Sequence, residues 1–591
     1  MFATGEVPRA EHPRPQFVRD DWINLNGAWT FAFDLGKSGR QRGFAESTGF
    51  EHRIVVPFCP ESELSGVGER DFIECLWYQR AVEVPEAWRE RRVLLHFGAV
   101  DFLSEVFLDG QLVGRHWGGS GSFTLDVTRF VRPGGTHSLV VHVRDELRSG
   151  RQARGKQCPQ FDSRGCLYTR TTGIWQTVWL EAVSPVALRL CQVLPDLDGG
   201  RFVVVPSYRA ARAGLTLRAT LSDGDSVVAR ASSAAADGTA VVLDIDDPRP
   251  WSPDSPFLYD LLLEVLDDDG AVQDRVRSYA GLRKVHVEGD RIFLNNEPIR
   301  LRFVLDQGFY PDGVWTAPSD EALRRDIELS MAAGFNGARL HQKVFEERFH
   351  YWADRLGYLT WGESASWGLA MWQNDASDDL AAAGAWNFLD EWREVVLRDR
   401  NHPSIIAWTP FNETRGGAGR ALHARLHAEA YELTRALDPT RPVNDSSGYV
   451  HVRTDLWTVH NYEQDPEKLR DKLTPHEETG VFRNAPELDA PYEGQPYLVD
   501  EFGGIKWIPP DRRPFSETSW GYGEGPKTLH EFYERLDGLV RAIDGLDHVC
   551  GWCYTQLTDV EQEQNGIYSY DRTEKFDMER IRRIFRGDQE R

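Results

Sequence analysis

The chain runs to 591 residues with 41% hydrophobic content, too long for a single core and ordinary for a folded multidomain protein. Its formal net charge of −24 argues against nucleic acid and anionic membrane as partners, because both require a basic surface. No stretch reaches membrane-spanning length, and the opening MFATGEVPRAEHPRPQF has neither the basic head nor the apolar core of a secretion signal, so a cytoplasmic location is expected.

A neutral sugar or another small molecule fits this charge better, and a homo-oligomer is compatible with it. Seven cysteines, at 59, 75, 158, 166, 191, 550 and 553, are odd in number and irregularly spaced, which suits free thiols in a reducing compartment. Cys550-Gly551-Trp552-Cys553 forms a C-x-x-C. No helix pattern follows it and no second Cys or His pair completes a zinc set, so two buried structural thiols are expected rather than a redox or metal centre.

Residues 1–184 contain short alternating runs broken by turn signals: 28–33, 92–97, 104–108, 138–143 and 176–180. Asp109-Gly110 sits between two runs as a hairpin turn. Strands at this density without helical patterns imply a β-sandwich. The pattern recurs over residues 185–285, with strands at 201–206, 215–221, 239–245 and 258–266. Within it, 207–238 is rich in Ala, Ser, Asp and Gly, so the loops there are expected to be solvated and mobile. Asp267-Asp268-Asp269-Gly270 lacks the bidentate Glu of a calcium loop and reads as a hairpin turn.

From residue 286 to 591 strands alternate with helices. A strand over 299–305 precedes a helix capped by Ser319 and stopped by Gly334. A strand over 335–340 precedes a helix bearing Phe345, Phe349, Trp352 and Leu356 that ends at Gly357. A third strand spans 358–361, and a helix capped by Asn387 leads into Ile405-Ile406-Ala407-Trp408. Strands at 441–444, 456–459, 497–499 and 548–554 bring the count to eight. This grammar predicts a (β/α)8 barrel, with its site at the C-terminal strand ends.

Two of those ends carry an acid directly after an apolar strand core: Asn412-Glu413 on the fourth strand and Asp500-Glu501 on the seventh. A charge so placed has either a partner or a job. One carboxylic acid and one carboxylate about 5 Å apart are what configuration-retaining glycosidic cleavage requires. Arg339 is expected to keep Glu501 ionised as the nucleophile. Glu413, among Trp408, Phe411 and other carboxylates, is expected to stay protonated as the acid. Asn412 is placed to hold a sugar hydroxyl, His341 and His460 are candidate hydroxyl ligands, and Trp552 is the candidate floor under the sugar. Asp306, Glu363, Asn461, Tyr462 and Gln556 complete the ring of polar strand ends.

These residues resemble family 2 glycoside hydrolases, the group of β-galactosidases, β-glucuronidases and β-mannosidases. In the first domain Leu25-Asn26-Gly27-Ala28-Trp29, Val106-Phe107-Leu108-Asp109-Gly110 and Thr172-Gly173-Ile174-Trp175-Gln176 are similar to that family's jelly-roll sugar-binding domain. Trp251-Ser252-Pro253 with Pro256-Phe257-Leu258-Tyr259 resembles the end of its immunoglobulin-like domain. Asn412-Glu413 matches its acid/base motif, and Glu501-Phe502-Gly503 its nucleophile motif. The resemblance implies an exo-acting, retaining enzyme without an organic cofactor, with first-domain loops around Asp101 or 157–170 closing over the barrel mouth. The metal sites of the largest galactosidases are not expected.

The departures bear on substrate. Arg302-Phe303-Val304-Leu305-Asp306-Gln307 replaces the Arg-Gly-Val-Asn run of many members, and Arg339-Leu340-His341-Gln342 replaces their Ser-His pair. Asn565-Gly566-Ile567 does not supply the Asn-x-Lys signature of glucuronide recognition. The expectation is therefore a β-galactosidase-like enzyme, with a galactofuranoside, an arabinofuranoside or a β-glucuronide as alternatives. A non-catalytic carbohydrate-binding protein is the competing class.

Overall fold

The computed structural model describes residues 7–210, 212–372, 377–415 and 420–588, so residues 1–6 of the segment read for a leader lie outside it. The expected three-part architecture is present: two β-sandwiches and a parallel barrel.

In the first sandwich, six antiparallel strands lie in the order His52–Val56, Gly27–Phe33, Cys75–Glu83, Thr136–Arg144, Leu103–Leu108, Gln111–Trp117. They face a four-stranded sheet of Trp22–Asn24, Val178–Val183, Arg92–Phe97 and Phe123–Asp126. Period-2 alternation sends Leu139, Val141 and Val143 from one sheet against Val93, Leu95, Phe97, Val178 and Leu180 from the other. The Asp109-Gly110 hairpin is present, with both residues at positive φ (47° and 80°), as a tight primed turn requires.

The second sandwich packs Leu188–Asp196, Arg201–Tyr208 and Val241–Asp244 against Ser226–Ala234, Thr216–Asp223, Tyr259–Leu266 and Val272–Ala280. Ser226–Ala234 is a strand beyond those expected in this domain. Its small polar residues pair along one side only, with Thr216–Asp223, so it is an exposed edge strand. At 267–270 the Asp267 carboxylate accepts the Asp269 and Ala271 N–H groups (3.1 and 2.8 Å), closing a hairpin turn rather than a calcium loop.

Seven barrel strands form one parallel sheet: Ile405–Thr409, Leu359–Glu363, Gly337–Leu340, Leu301–Asp306, Val549–Thr555, Tyr497–Gly503 and Trp457–Asn461, in that spatial order. The fifth strand, expected over 441–444, is reduced to Ser446–Ser447 paired with Phe411–Asn412 and a single Val443 bridge to Trp408. Side chains carry much of that corner: Asp445 accepts the Val452 and Arg453 N–H groups (2.7 and 3.0 Å). The two strand faces divide the apolar residues. Leu301, Phe303, Leu305, Leu359, Trp361, Leu498 and Cys553 fill the barrel, while Val304, Leu340, Val459, Val499 and Trp552 meet the surrounding helices.

Ser319 caps Asp320–Ala332 by accepting the Ala322 N–H, and Gly357, at φ 74°, ends Glu347–Leu356 as expected. Asn387 is not a cap. The helix runs from Asp378 to Asp399, Ser377 accepts the Leu380 N–H at its start, and Asn387 lies mid-helix with its amide donating to Arg151 O (3.1 Å). The Ala-rich segment before Asn387 propagates the helix upstream.

The first domain reaches the barrel mouth. Arg154 and Gly155 N–H groups donate to Trp367 O and Ala365 O (2.7 and 3.1 Å). The Tyr168 hydroxyl donates to Glu563 (2.6 Å), and Trp520 Nε1–H to Gly165 O (2.7 Å). The expected contact of 157–170 with the mouth is therefore present.

Candidate active site

Arg339, fully buried, organises the mouth. Its Nε donates to Glu363 (2.7 Å), Nη1 to Glu501 Oε1 (2.9 Å), and Nη2 to Asn412 Oδ1 (2.7 Å) and His341 Nδ1 (2.6 Å). One planar cation thus fixes four side chains from the second, third, fourth and seventh strands.

Successive strand residues face opposite ways, yet Asp500 and Glu501 both reach His460. The ladder explains it: Val459 opposes Val499, but His460 opposes Glu501, so Asp500 is an extra residue in a bulge. The His460 ring then spans the cleft. Its Nδ1 lies 2.9 Å from Glu413 Oε1 and 3.3 Å from Glu501 Oε2, and its Nε2 lies 3.4 Å from Asp500 and 3.0 Å from the Ser447 hydroxyl. The facing atoms of Glu413, His460 and Glu501 all fall within 4.8 Å of one another.

Glu413 stands just past the end of its strand at φ 50°, a left-handed conformation uncommon outside glycine, with its N–H donating to Ser447 O (3.0 Å). The apolar pocket expected around it is not there. Trp408 turns outward to bond Asp438 (2.8 Å), and the Phe411 ring stacks with Phe388 and His427, leaving the carboxyl against His460.

Burial alone would raise the Glu501 pKa, but the nearby His460 and Arg339 cations outweigh it and hold the carboxyl down to about 2. Tyr462 adds a hydroxyl donated to Glu501 Oε2 (2.5 Å). For His460 burial lowers the pKa, and Glu501 and Asp500 overturn this, lifting it to about 10. His341 goes the other way: burial and the neighbouring Lys156 and Arg339 keep it neutral, which makes Nδ1 the acceptor from Arg339.

The depressed Glu501 pKa contributes stability that is present above the unfolded value near ~4.3 and is lost as pH falls through about 2. Replacing His460 by Gln removes the cation beside Glu501, so the acidic limb of kcat/KM moves to higher pH. A pH profile of the variant checks this, and an unmoved limb would contradict it.

Asn412, with Oδ1 held by Arg339, has a buried Nδ2 without a partner among the described residues, a donor available to a ligand. Tyr462 stacks face to face on Tyr522 (3.4 Å between centroids). The remaining candidates divide. Glu363 is fully covered behind Arg339. Asn461 spends its carboxamide oxygen on the Glu463 N–H (3.1 Å). Asp306 accepts the Gly308 N–H (2.9 Å), and burial and Asp326 push its pKa up to about 6. Gln556 donates to Asn565 (2.7 Å) and keeps a buried oxygen unpartnered.

Trp552 corrects its assignment as the floor. It pairs in register with Arg302 on the outward face, donates to Asp544 (2.9 Å) and packs on Phe335, Phe502 and Phe585. Trp552→Phe should therefore leave KM within about twofold and lower stability by about 1–2 kcal/mol, read from steady-state kinetics and urea unfolding. Cys550 and Cys553 are buried unpaired thiols, as expected. Asp500, Ser447, Tyr522 and Lys156 were not singled out from the sequence; of these only Asp500, adjoining Glu501, carried a signal there.

Three family models match in order along the chain. Residues 68–156 match the sugar binding domain of glycosyl hydrolases family 2, residues 203–283 the model described as glycosyl hydrolases family 2, and residues 285–503 that family's TIM barrel domain. The chain belongs to glycosyl hydrolase family 2. It is a glycoside hydrolase.

Among this hydrolase's relatives, a β-glucuronidase of Paenibacillus borealis is 25% identical over 93% of the chain and 94% of its own length. A β-galactosidase of Thermoanaerobacter pseudethanolicus is 24% identical over 82% of the chain, which spans 60% of that relative. The crystal structure of Ruminococcus gnavus β-glucuronidase shares the fold, with a TM-score of 0.81 at 20% identity, covering 98% of this chain and 100% of that one.

Proposed function

We propose that the protein is an exo-acting, retaining β-glycosidase of β-galactosidase-like specificity, with Glu501 as nucleophile and Glu413 as acid/base. The observation that carries this is the separation of the two carboxyls: oxygens within 4.8 Å suit attack on one anomeric carbon and fall short of the roughly 6.5–9.5 Å that an inverting pair keeps for its attacking water. Glu501, ionised down to about pH 2, is ready to attack. As it bonds to the anomeric carbon, the C–O bond to the aglycone breaks and Glu413 donates its proton to the leaving oxygen. Water then gives a proton back to Glu413 and displaces Glu501 with the second inversion, giving net retention.

His460 Nδ1, 2.9 Å from Glu413 and 3.3 Å from Glu501, stands where it can stabilise negative charge on either carboxyl as the reaction moves it from one to the other. Asn412 Nδ2–H is placed for a sugar hydroxyl beside the anomeric centre, where its bond strengthens as the ring becomes cationic.

A neutral glycone is favoured because Arg339 and His460 are already committed to the carboxylates around them. At the 565–567 turn, Asn565 is tied to Gln556 and Glu563, Ile567 is fully buried, and the neighbouring Lys575 is paired to Asp559 (2.8 Å), so that cation is already neutralised. The second reading is a β-glucuronide, favoured by relatives bearing that name. A panel of 4-nitrophenyl glycosides tests both: fastest release from the β-galactopyranoside supports the proposal, whereas release only from the β-glucuronide, a furanoside or none overturns it. A cytoplasmic location belongs to the same reading, supported by seven unpaired thiols.

A further inference from the structure

Lys156 is a buried cation, 6% exposed, without a hydrogen-bonding or ion-pairing partner among the described residues. An ammonium in so covered a place, with no anion paired to it, keeps hydrogen-bonding capacity for a ligand. Its backbone is pinned. Arg154 and Gly155 on one side are stitched to Trp367 O and Ala365 O beyond the third barrel strand, and Lys156 O itself accepts the Tyr168 N–H (2.8 Å).

The ammonium lies 4.3 Å from the centroid of the Trp367 ring, whose indole N–H donates to Asn412 O (3.0 Å). The lysine therefore stands one aromatic ring away from the strand end that carries Glu413. Burial works against its charge, but Cys166, Glu563, Glu413 and Glu501 hold it protonated. Glu563 is meanwhile tied to Tyr168 (2.6 Å) and Asn565 (3.1 Å), so it faces the lysine without pairing to it.

We propose that Lys156, delivered by the first domain, is a specificity-determining residue that donates to a ring hydroxyl of the sugar attacked by Glu501. This rests on the catalytic reading above and names how that site selects its glycone. A hydroxyl fits better than a carboxylate, because a substrate anion on Lys156 would face Glu563, Glu413 and Glu501 at close range.

The test uses the 4-nitrophenyl glycoside that the wild type cleaves fastest, its monodeoxy analogues and 4-nitrophenyl β-glucuronide. Lys156→Met should lower kcat/KM on the parent by about 10- to 100-fold, the range for a hydrogen bond to a charged group. On the one analogue lacking the hydroxyl that Lys156 holds, the variant and the wild type should be nearly equal. Loss by the same factor on every analogue, as a packing defect would give, overturns the assignment. So does no loss, or a loss confined to the glucuronide.

Lys156→Gln repeats the comparison. Should neither variant fold by circular dichroism, Cys166 of the wild type decides: a sugar seated on Lys156 must slow its alkylation by N-ethylmaleimide, and unchanged alkylation under saturating monosaccharide product overturns the proposal. Glu501→Gln separates the two claims, since full turnover in that variant would remove the catalytic reading itself whatever Lys156 does.

Discussion

Glu501→Gln should lower kcat by about 10⁴-fold or more on every glycoside that the wild type cleaves, in protein that is less stable but still folded. The amide oxygen can accept from Arg339 or from Tyr462, though not from both, and the amide cannot form the ester to the anomeric carbon. Single-turnover kinetics with equilibrium urea unfolding measure both halves. An active variant, or one inactive only because it has unfolded, would contradict the assignment.

Glu413→Gln should behave differently. With a poor leaving group, loss of the proton donor costs about 10²–10⁴-fold. With 2,4-dinitrophenolate, which departs unaided, the first step survives and the glycosyl-enzyme accumulates, so a burst of dinitrophenolate precedes a slow steady state. Azide, which needs no general base, should restore turnover and yield a glycosyl azide of retained configuration. Equal losses with good and poor leaving groups would mean that Glu413 does not transfer the proton.

What the sequence disclosed follows from which interactions are local. Ser319 and Gly357 act on their own helix ends, and Asp109-Gly110 on its own hairpin, so each was readable. Strand cores ending in Glu413 and Glu501 were readable because an acid after a buried run is itself unusual. Trp552 was misread because strand facing depends on register with a neighbour: Arg302 opposite it marks the outward face, and no feature of 549–555 alone says so. The Ser226–Ala234 edge and the vestigial fifth barrel strand were missed or misplaced for a related reason. One is held by a single partner strand and the other largely by side-chain bonds to Asp445, neither of which leaves an apolar period.

The electrostatics were half legible. Arg339 beside Glu501 was expected and is found. The cation facing Glu413 was not expected, because His460 owes its charge to Asp500 and Glu501 arriving together through a bulge. Lys156 was invisible for a stronger reason: it comes from another domain, and the stitching of Arg154 and Gly155 to Trp367 and Ala365 brings it to the barrel mouth.

The claim on which the rest depends is that Glu413 and Glu501 serve opposite faces of one anomeric carbon, each in turn. Proton NMR of the first sugar released from a β-glycoside, recorded before mutarotation, tests this directly. The account predicts that the β-anomer appears first and the α-anomer grows in later; the α-anomer appearing first would require a water between the carboxyls and would contradict it.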